Sequence, residues 1–452
     1  MQLMDLRCAA PTLALVATIG TLAGAAYGAD NIVPIEVRQF APYQHNKLFV
    51  ELTVCNRSHQ CRIVPQVLVD TGSVGVRLSR GALGGLELDA EKDAEGRPVG
   101  AWARFGSGDL WGTVNLAQVR IGKLATLRPI PIQVIDRPER RETLPPGYGD
   151  PDARLMAIDM ANGILGISPQ RHQPNGYFVE SRSAAGDDAG SWHATQLQRA
   201  MQIANPIADL PVPYDGGSVI RLPEVDPASG DETASGELGL GIGAATDRLF
   251  PPHARIVAHQ LDAAGMFRAA ISGHEFDVLI DSGTNALSLD LKPLGVALHP
   301  RHPYYDAPAT QQFHLDVRSG DALVRLQRPL YVGATVKYLK ANQRHGALPM
   351  VVGWDPHASR QINVLGLPFF YGRTVATGLS DTVNPFQLGA PAALEAGHDG
   401  IDLQGHGGEP IDDEDGFALL AHPGLALPQA STPTDAFEVY GKAQHGYIAY
   451  SD

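Results

Sequence analysis

VLVDTGS at residues 67–73 recurs as VLIDSGT at residues 278–284, and each copy has three apolar residues, aspartate, a hydroxyl residue, glycine and a second hydroxyl residue. A later segment also repeats, as GILGI at residues 163–167 and NVLGL at residues 363–367. The intervals from each aspartate to the glycine that follows leucine are 96 and 85 residues. A single Asp-Thr-Gly usually marks a turn in which aspartate bonds its own backbone. A doubled motif with a matched downstream partner predicts two structurally equivalent halves instead.

The repeated motif places a carboxylate, Asp70 or Asp281, at the tip of a buried strand. The glycine two residues later lets the backbone approach closely and frees an amide to bond the carboxylate. The hydroxyl residue directly after each aspartate can bond across to the other copy, and the later one can donate to the outer oxygen of its own aspartate. The supporting loop residues are therefore Thr71, Gly72, Ser73, Ser282, Gly283 and Thr284. The downstream glycines, Gly166 and Gly366, can pack beneath these loops.

Two carboxylates that meet between the halves cannot both ionise cheaply, so they share one proton and titrate as a coupled pair. One aspartate then acts as general base on a water held between them, while the other protonates the scissile carbonyl oxygen. This chemistry needs no metal, no other cofactor and no covalent intermediate. The substrate that it predicts is an extended polypeptide lying in the cleft between the halves.

Taken in order over residues 32–379, these motifs resemble those of the pepsin-like aspartic peptidases. A further stretch is similar to the flap hairpin that closes over substrate in that family, and it contains Phe105, Gly106, Ser107 and Gly108. The resemblance implies an all-β, two-lobed double-psi β-barrel fold with few short helices and a central cleft, acting as an aspartic endopeptidase. We expect a monomer. The sequence also resembles a group of uncharacterised secreted bacterial proteins related to this fold.

Two positions depart from the pepsin pattern. Phe105 occupies the place of the flap tyrosine, and Arg77 that of the tryptophan seven residues after the first aspartate. Because most arginines are exposed, we expect Arg77 to point to solvent; pointing inward, its charge would lower the pKa of the aspartate pair. These changes favour an alternative function, a catalytically silent pepsin-like binding protein of the cell envelope. A third hypothesis is a processing enzyme for one envelope protein.

The composition excludes other classes of protein. A formal net charge of −14 leaves no basic surplus to neutralise phosphates, which argues against nucleic acid and against a polybasic membrane contact. The 49 glycines and 34 prolines, with short apolar runs between them, favour many short strands over a helical bundle. The sequence contains no nucleotide-binding glycine loop, zinc-type His/Cys cluster or nucleophile elbow.

Composition along the chain predicts five segments. Residues 1–28 combine Arg7, an apolar stretch and a small-residue cleavage site, which is typical of a signal peptide and predicts an exported protein, periplasmic or secreted. The apolar stretch is too short to span a bilayer, and no other segment approaches that length. The expected segments are a signal peptide at 1–28, an N-terminal lobe at 29–205, a C-terminal lobe at 206–388, an acidic, flexible insertion at 389–440 and a closing strand at 441–452.

Two local features complete the sequence prediction. In an oxidising compartment, the two cysteines that follow the signal peptide favour a structural disulfide between Cys55 and Cys61. A redox or metal role would require a tighter spacing or further ligands. Residues 191–203 have apolar side chains at helical spacing, so we expect a helix there.

Overall fold

The computed structural model describes residues 29–40, 44–105, 108–135, 161–181, 191–319, 322–356, 361–380, 382, 386 and 446–452. The predicted signal peptide at 1–28 and the predicted acidic insertion at 389–440 lie outside the described residues, as do Gly106 and Ser107 of the predicted flap.

The described residues are mostly β structure with few helices, as predicted. The first half of the chain contains β1 (Ile32–Arg38), β2 (Lys47–Cys55), β3 (Cys61–Asp70), β4 (Val74–Ser79), β5 (Asp89–Ala90), β6 (Val99–Phe105), β7 (Gly108–Ile121), β8 (Leu124–Ala125), β9 (Ile130–Ile135), β10 (Gly163–Ile167), β11 (Tyr177–Ser181) and β12 (Ser191–Thr195). Its 3-10 helices are Ala29–Asn31, Arg80–Leu83 and Arg199–Met201.

The second half contains β13 (Gly217–Arg221), β14 (Thr233–Leu240), β15 (Ile256–Gln260), β16 (Phe267–Ile271), β17 (His274–Ile280), β18 (Leu287–Ser288), β19 (Asp306–Phe313), β20 (Leu315–Ser319), β21 (Ala322–Arg325), β22 (Leu330–Ala334), β23 (Val352–Gly353), β24 (Asn363–Leu365), β25 (Thr374–Gly378) and β26 (Tyr447–Ser451). Its helices are α1 (Ile242–Leu249), α2 (Thr335–Ala341) and the 3-10 turns Pro206–Asp209, Lys292–Leu294 and Leu367–Phe370. None of the described helices is long and apolar enough to cross a membrane.

The repeat in the sequence is also a repeat of strand pairing. β3 pairs in parallel with β10, which pairs antiparallel with β4, and β4 pairs in parallel with β9. In the second half β17 pairs in parallel with β24, which pairs antiparallel with β18, and β18 pairs in parallel with β23. The apolar ends of β3 and β17 are buried because each strand has neighbours along it and side chains packed on both faces. Equivalent sequence motifs therefore occupy equivalent positions.

Strands from both halves join in one sheet of 17 strands, and the second half adds sheets of seven and two strands. β1 connects the halves, since it pairs with β2 on one side and with β14 on the other. β26 lies between β15 and β25, so the last described residues pair with strands of the second half.

The helix predicted over residues 191–203 is wrong. Its first five residues form β12, which pairs antiparallel with β11, and only Arg199–Met201 makes a short 3-10 turn. The Trp192 ring packs edge-on against Trp111 of β7 at 5.0 Å between centroids. Cross-strand pairing and this aromatic contact override the local helical spacing, which carries only a weak preference.

The predicted disulfide between Cys55 and Cys61 is confirmed, and it joins the end of β2 to the start of β3. Because it closes a short loop, the chain-entropy relation assigns it about 2 kcal/mol of stability through the unfolded state. We expect the double Cys55→Ser, Cys61→Ser variant to lose about that much unfolding free energy in urea denaturation. An unchanged midpoint and slope would contradict this account.

A buried histidine connects β26 to its neighbours. His259 on β15 stacks on the Phe267 ring at 4.2 Å between centroids, and its Nε2 lies 3.0 Å from the Tyr450 hydroxyl on β26. Burial lowers the pKa of His259 from 6.5 to about 4. The folded protein therefore keeps this ring neutral at pH values where the unfolded chain protonates it.

The depressed pKa has a direct consequence for stability in acid. Below pH 6.5 the unfolded chain binds the extra proton, so this part of the stability is lost as the pH falls to about 4. We expect His259→Gln to reduce the acid-induced loss of stability across that window by about 3 kcal/mol. Melting temperatures from pH 7 to pH 4 test this, with the exposed His274→Gln as control. Parallel curves for His259→Gln and wild type would refute it.

Candidate active site

The two predicted aspartates meet in the folded chain. Asp70 is the last residue of β3 and Asp281 directly follows β17, and their exposed fractions are 0% and 1%. A Cβ added to Gly283 would lie 2.8 Å from Asp70 Oδ1 and 3.2 Å from Asp281 Oδ1, so the two carboxyl groups approach the same point. Residues 211 positions apart in the sequence thus form one buried carboxyl pair.

Each aspartate is held in the same way by its own loop. The Gly72 amide donates to Asp70 Oδ1 at 2.8 Å, and the Gly283 amide donates to Asp281 Oδ1 at 2.8 Å. The Ser73 hydroxyl donates to Asp70 Oδ2 at 2.5 Å, and the Thr284 hydroxyl donates to Asp281 Oδ2 at 2.6 Å. These bonds fix both carboxyl planes before any substrate arrives.

A reciprocal set of hydrogen bonds joins the two loops. The Thr71 amide donates to the Ser282 hydroxyl at 3.1 Å, and the Ser282 amide donates to the Thr71 hydroxyl at 3.0 Å. The same hydroxyls donate to strand carbonyls of the opposite half, Thr71 to Ile280 at 3.3 Å and Ser282 to Val69 at 2.8 Å. This symmetric arrangement holds the aspartates together at the junction of the halves.

Two glycines pack beneath the loops, where a side chain would collide with backbone. A Cβ added to Gly166 would lie 2.8 Å from the Ser73 and Gly75 carbonyl oxygens. A Cβ added to Gly366 would lie 2.1 Å from the Ala286 oxygen and 2.6 Å from the Thr284 oxygen. β10 and the residue after β24 therefore support the aspartate loops through close backbone contact.

Burial and the second carboxylate set the ionisation of the pair. Removal from water, followed by the charge of Asp281, raises the pKa of Asp70 well above its usual value. The hydrogen bonds from Ser73 and Gly72 oppose this rise, because they stabilise the charged form. The two carboxyl groups therefore titrate as a coupled pair, which keeps a proton to higher pH than an isolated aspartate does.

The expectation that Arg77 points to solvent is wrong. Arg77 on β4 is 0% exposed, and its guanidinium donates to Gln133, to Gln173 and, at 3.3 Å, to the Val74 carbonyl. Burial lowers its pKa to about 10, while Tyr177 and then Asp70 act in the opposite direction. The side chains of Gln133 on β9 and Gln173, between β10 and β11, supply buried acceptors, and for this reason the cation can leave solvent.

Two of the predicted flap residues, Phe105 and Gly108, are described, and they lie on adjacent strands. β6 and β7 pair antiparallel, with Phe105 opposite Gly108. The Phe105 ring is buried in a cluster with Phe49, Leu68 and Ile164, and the Arg77 guanidinium lies 5.6 Å from its centroid. Phe105 thus packs against the strand that ends in Asp70.

Sequence reasoning missed a buried polar segment, His45-Asn46-Lys47, directly before the apolar part of β2. Their exposed fractions are 2%, 0% and 5%. The Asn46 side chain donates to the Asn285 carbonyl at 2.8 Å, one residue beyond the second aspartate loop, and accepts from the Tyr371 hydroxyl at 2.6 Å. Burial lowers the pKa of Lys47 to about 8, and the charges of Asp281 and Asp70 oppose that fall. Three polar residues in a row resemble a surface turn, so no local signal marks them as buried.

The described residues contain no group of three or more His, Cys, Asp or Glu side chains placed to hold a metal ion. They do contain the carboxyl pair of Asp70 and Asp281, which can accept a proton at one oxygen and donate one from another.

The fold and the site define a mainly β protein with two buried aspartates side by side on loops that are hydrogen-bonded to each other. The chain belongs to the family described as "Protein of unknown function (DUF3443)", whose model matches residues 28–393. No curated protein matches it. Among solved structures, the chain is similar to an aspartic proteinase from Irpex lacteus at 15% identity, over 76% of this chain and 93% of that chain, with a TM-score of 0.42.

Proposed function

We propose that this protein is an aspartic-type endopeptidase. The observation that carries the proposal is the close approach of Asp70 and Asp281 beside Gly283, with each aspartate held by its own loop and the two loops joined by reciprocal hydrogen bonds. A merely structural turn needs neither the second aspartate nor the paired hydroxyls. The proposal includes a two-lobed, pepsin-like barrel fold, with lobes at 29–205 and 206–388 and an extended polypeptide bound in the cleft between them.

The proposed reaction begins with one proton on the carboxyl pair, which we assign to Asp70. Asp281, as carboxylate, removes a proton from a water while the water oxygen attacks the scissile carbonyl carbon. Asp70 gives its proton to the carbonyl oxygen, which forms a neutral gem-diol. In the collapse of this intermediate Asp281 returns a proton to the leaving amine, and a diol hydroxyl returns one to Asp70. The pair ends in its starting protonation state.

The proposal also covers where the protein acts and how it encloses its substrate. The protein is exported after removal of residues 1–28, acts as a monomer, and closes the β6–β7 hairpin over its substrate. The confirmed disulfide supports export, because such bonds persist in oxidising compartments. The proposed substrates have bulky apolar side chains beside the scissile bond.

The direct test is hydrolysis of an unfolded protein by the purified chain from pH 3 to pH 8, with the products identified by mass spectrometry. We expect cleavage that a statine-type inhibitor blocks. Cleavage that ignores this inhibitor, or that survives loss of either aspartate, would reject the proposal.

The second candidate is a silent binding protein on the same scaffold. The observation that favours it is the buried Arg77 beside Phe105, in place of the hydroxyl contacts expected of a pepsin flap. Binding of the statine-type inhibitor raises the melting temperature if the carboxyl pair is accessible and competent. No thermal shift together with no turnover would support the binding protein over the peptidase.

A further inference from the structure

Lys47 is a buried cation that the proposed mechanism does not use. Its exposed fraction is 5%, and lysine is almost never buried without a partner of opposite charge. Its strand also contacts the strand of the first aspartate: β2 pairs antiparallel with β3, with Phe49 opposite Leu68 and Val50 opposite Val67. The pairing ends at Phe49 and Leu68; extended by two residues, its register would align Lys47 with Asp70, on the face of the sheet that Phe49 and Leu68 share.

The segment of Lys47 is also attached to the second aspartate loop. The side chain of the preceding residue, Asn46, donates to the Asn285 carbonyl, and the backbone amide of Asn46 donates to the Gly346 carbonyl at 2.7 Å. The charges of both Asp281 and Asp70 act on the Lys47 ammonium. The segment that contains Lys47 is thus fixed between β3 and the second aspartate loop, within range of the charges of both carboxyl groups.

We propose that Lys47 is a positioning residue that keeps a single negative charge on the Asp70–Asp281 pair at neutral pH. A buried pair of carboxyl groups would otherwise retain both protons, because a lone buried charge is costly. The ammonium offsets that cost, so the singly ionised pair persists to lower pH than burial alone allows. The consequence for the proposed peptidase is activity that extends further towards acid.

Other titratable or charged groups also lie on the elements around Lys47. They are Glu36 and Arg38 on β1, His45 before β2, Arg77 on β4, Asp231 before β14, Tyr338 on α2, His345 after α2 and Tyr371 after the last 3-10 turn. Arg38 pairs with Glu36 at 3.7 Å, and Arg77 is held by two glutamines. Arg77 keeps its charge throughout the range in which the pair titrates, so it contributes a constant background.

The kinetic test rests on the proposed function. We expect Lys47→Met to move the acid limb of the pH profile of kcat/KM upwards by about one to two pH units. Removal of one unit charge close to a buried carboxyl group raises the pKa of that group by about this amount. Lys47→Arg keeps the charge and should leave the limb in place. Lys123→Met removes an exposed charge, 75% accessible, and serves as the matched control. An unmoved acid limb in Lys47→Met would overturn the proposal.

A second measurement needs no peptidase activity and no folded Lys47→Met variant. Coupling between charges is reciprocal, so a neutral pair must lower the pKa of the lysine. Each single asparagine variant still leaves one carboxylate, and the comparison therefore uses Asp70→Asn combined with Asp281→Asn. We expect the Lys47 side-chain NMR signal to titrate about one to two pH units lower in this double variant than in wild type. Identical titrations would overturn the inference, whereas a shift without turnover would reject only the peptidase.

Discussion

Asp70→Asn is expected to reduce kcat/KM for peptide hydrolysis by about 10³- to 10⁴-fold, because it removes the group that protonates the carbonyl oxygen. Asparagine has the same shape, accepts from the Gly72 amide as the carboxylate does, and can donate to Ser73. The fold is therefore retained. Asp281→Asn is expected to lose a similar factor through loss of the base, and the two losses should not add.

The same variant carries a stability signature with a definite sign. The raised pKa of Asp70 means that its contribution to stability is complete below the unfolded value near 4 and is lost as the pH rises. The melting temperature of Asp70→Asn should consequently gain on that of wild type as the pH increases from 4 to 8. The control is Asp277→Asn, an exposed position on β17 that pairs with Arg268 at 2.9 Å. A difference in melting temperature between Asp70→Asn and wild type that stays constant from pH 4 to pH 8 would contradict the burial account.

Gly366→Ala is expected to cause the largest loss of stability, about 3 kcal/mol or more, since overpacking against rigid backbone cannot relax. The φ angle of Gly366 is −73°, which any residue adopts, so the cost is steric and not conformational. The methyl group would meet the Ala286 and Thr284 carbonyl oxygens and displace the loop of Asp281. Urea denaturation measures the first effect, and loss of peptide hydrolysis measures the second.

Alanine substitutions at two other glycines serve as comparisons for Gly366→Ala. Gly166→Ala meets two carbonyl oxygens at 2.8 Å and should cost less than Gly366→Ala. Gly243 on α1 has nothing within 4 Å of an added Cβ, so Gly243→Ala should be neutral or stabilise the helix by up to about 1 kcal/mol. A loss at Gly366 no larger than the change at Gly243 would show that the close approach does not support the loop.

Much of the candidate site could be predicted from the repeat alone. The alternation of apolar residues, aspartate, hydroxyl and glycine is a local pattern, and its two copies identify Asp70 and Asp281 as equivalent positions. The structure brings these two together with the hydroxyls named for them, since each loop dictates its own hydrogen bonds over three residues. The disulfide likewise required only two close cysteines.

Other features depended on segments far apart in the chain. The apolar residues over 191–203 have helical spacing. Residues 191–195 nevertheless form β12, because they pair with β11 and the Trp192 ring packs on Trp111. Arg77 is inside because Gln133 and Gln173, 56 and 96 residues away, supply acceptors for its guanidinium. Neither outcome has a signal in the local pattern.

The sequence by itself determined the chemical groups of the site, the class of secondary structure and the strand tips at which the aspartates stand. Only the tertiary structure decided which cations are buried near them, with Lys47 on the strand that pairs with β3 and Arg77 beside the Phe105 ring. The physical reason is that a motif encodes hydrogen bonds over a few residues, whereas burial of a charge depends on partners that distant strands bring to it.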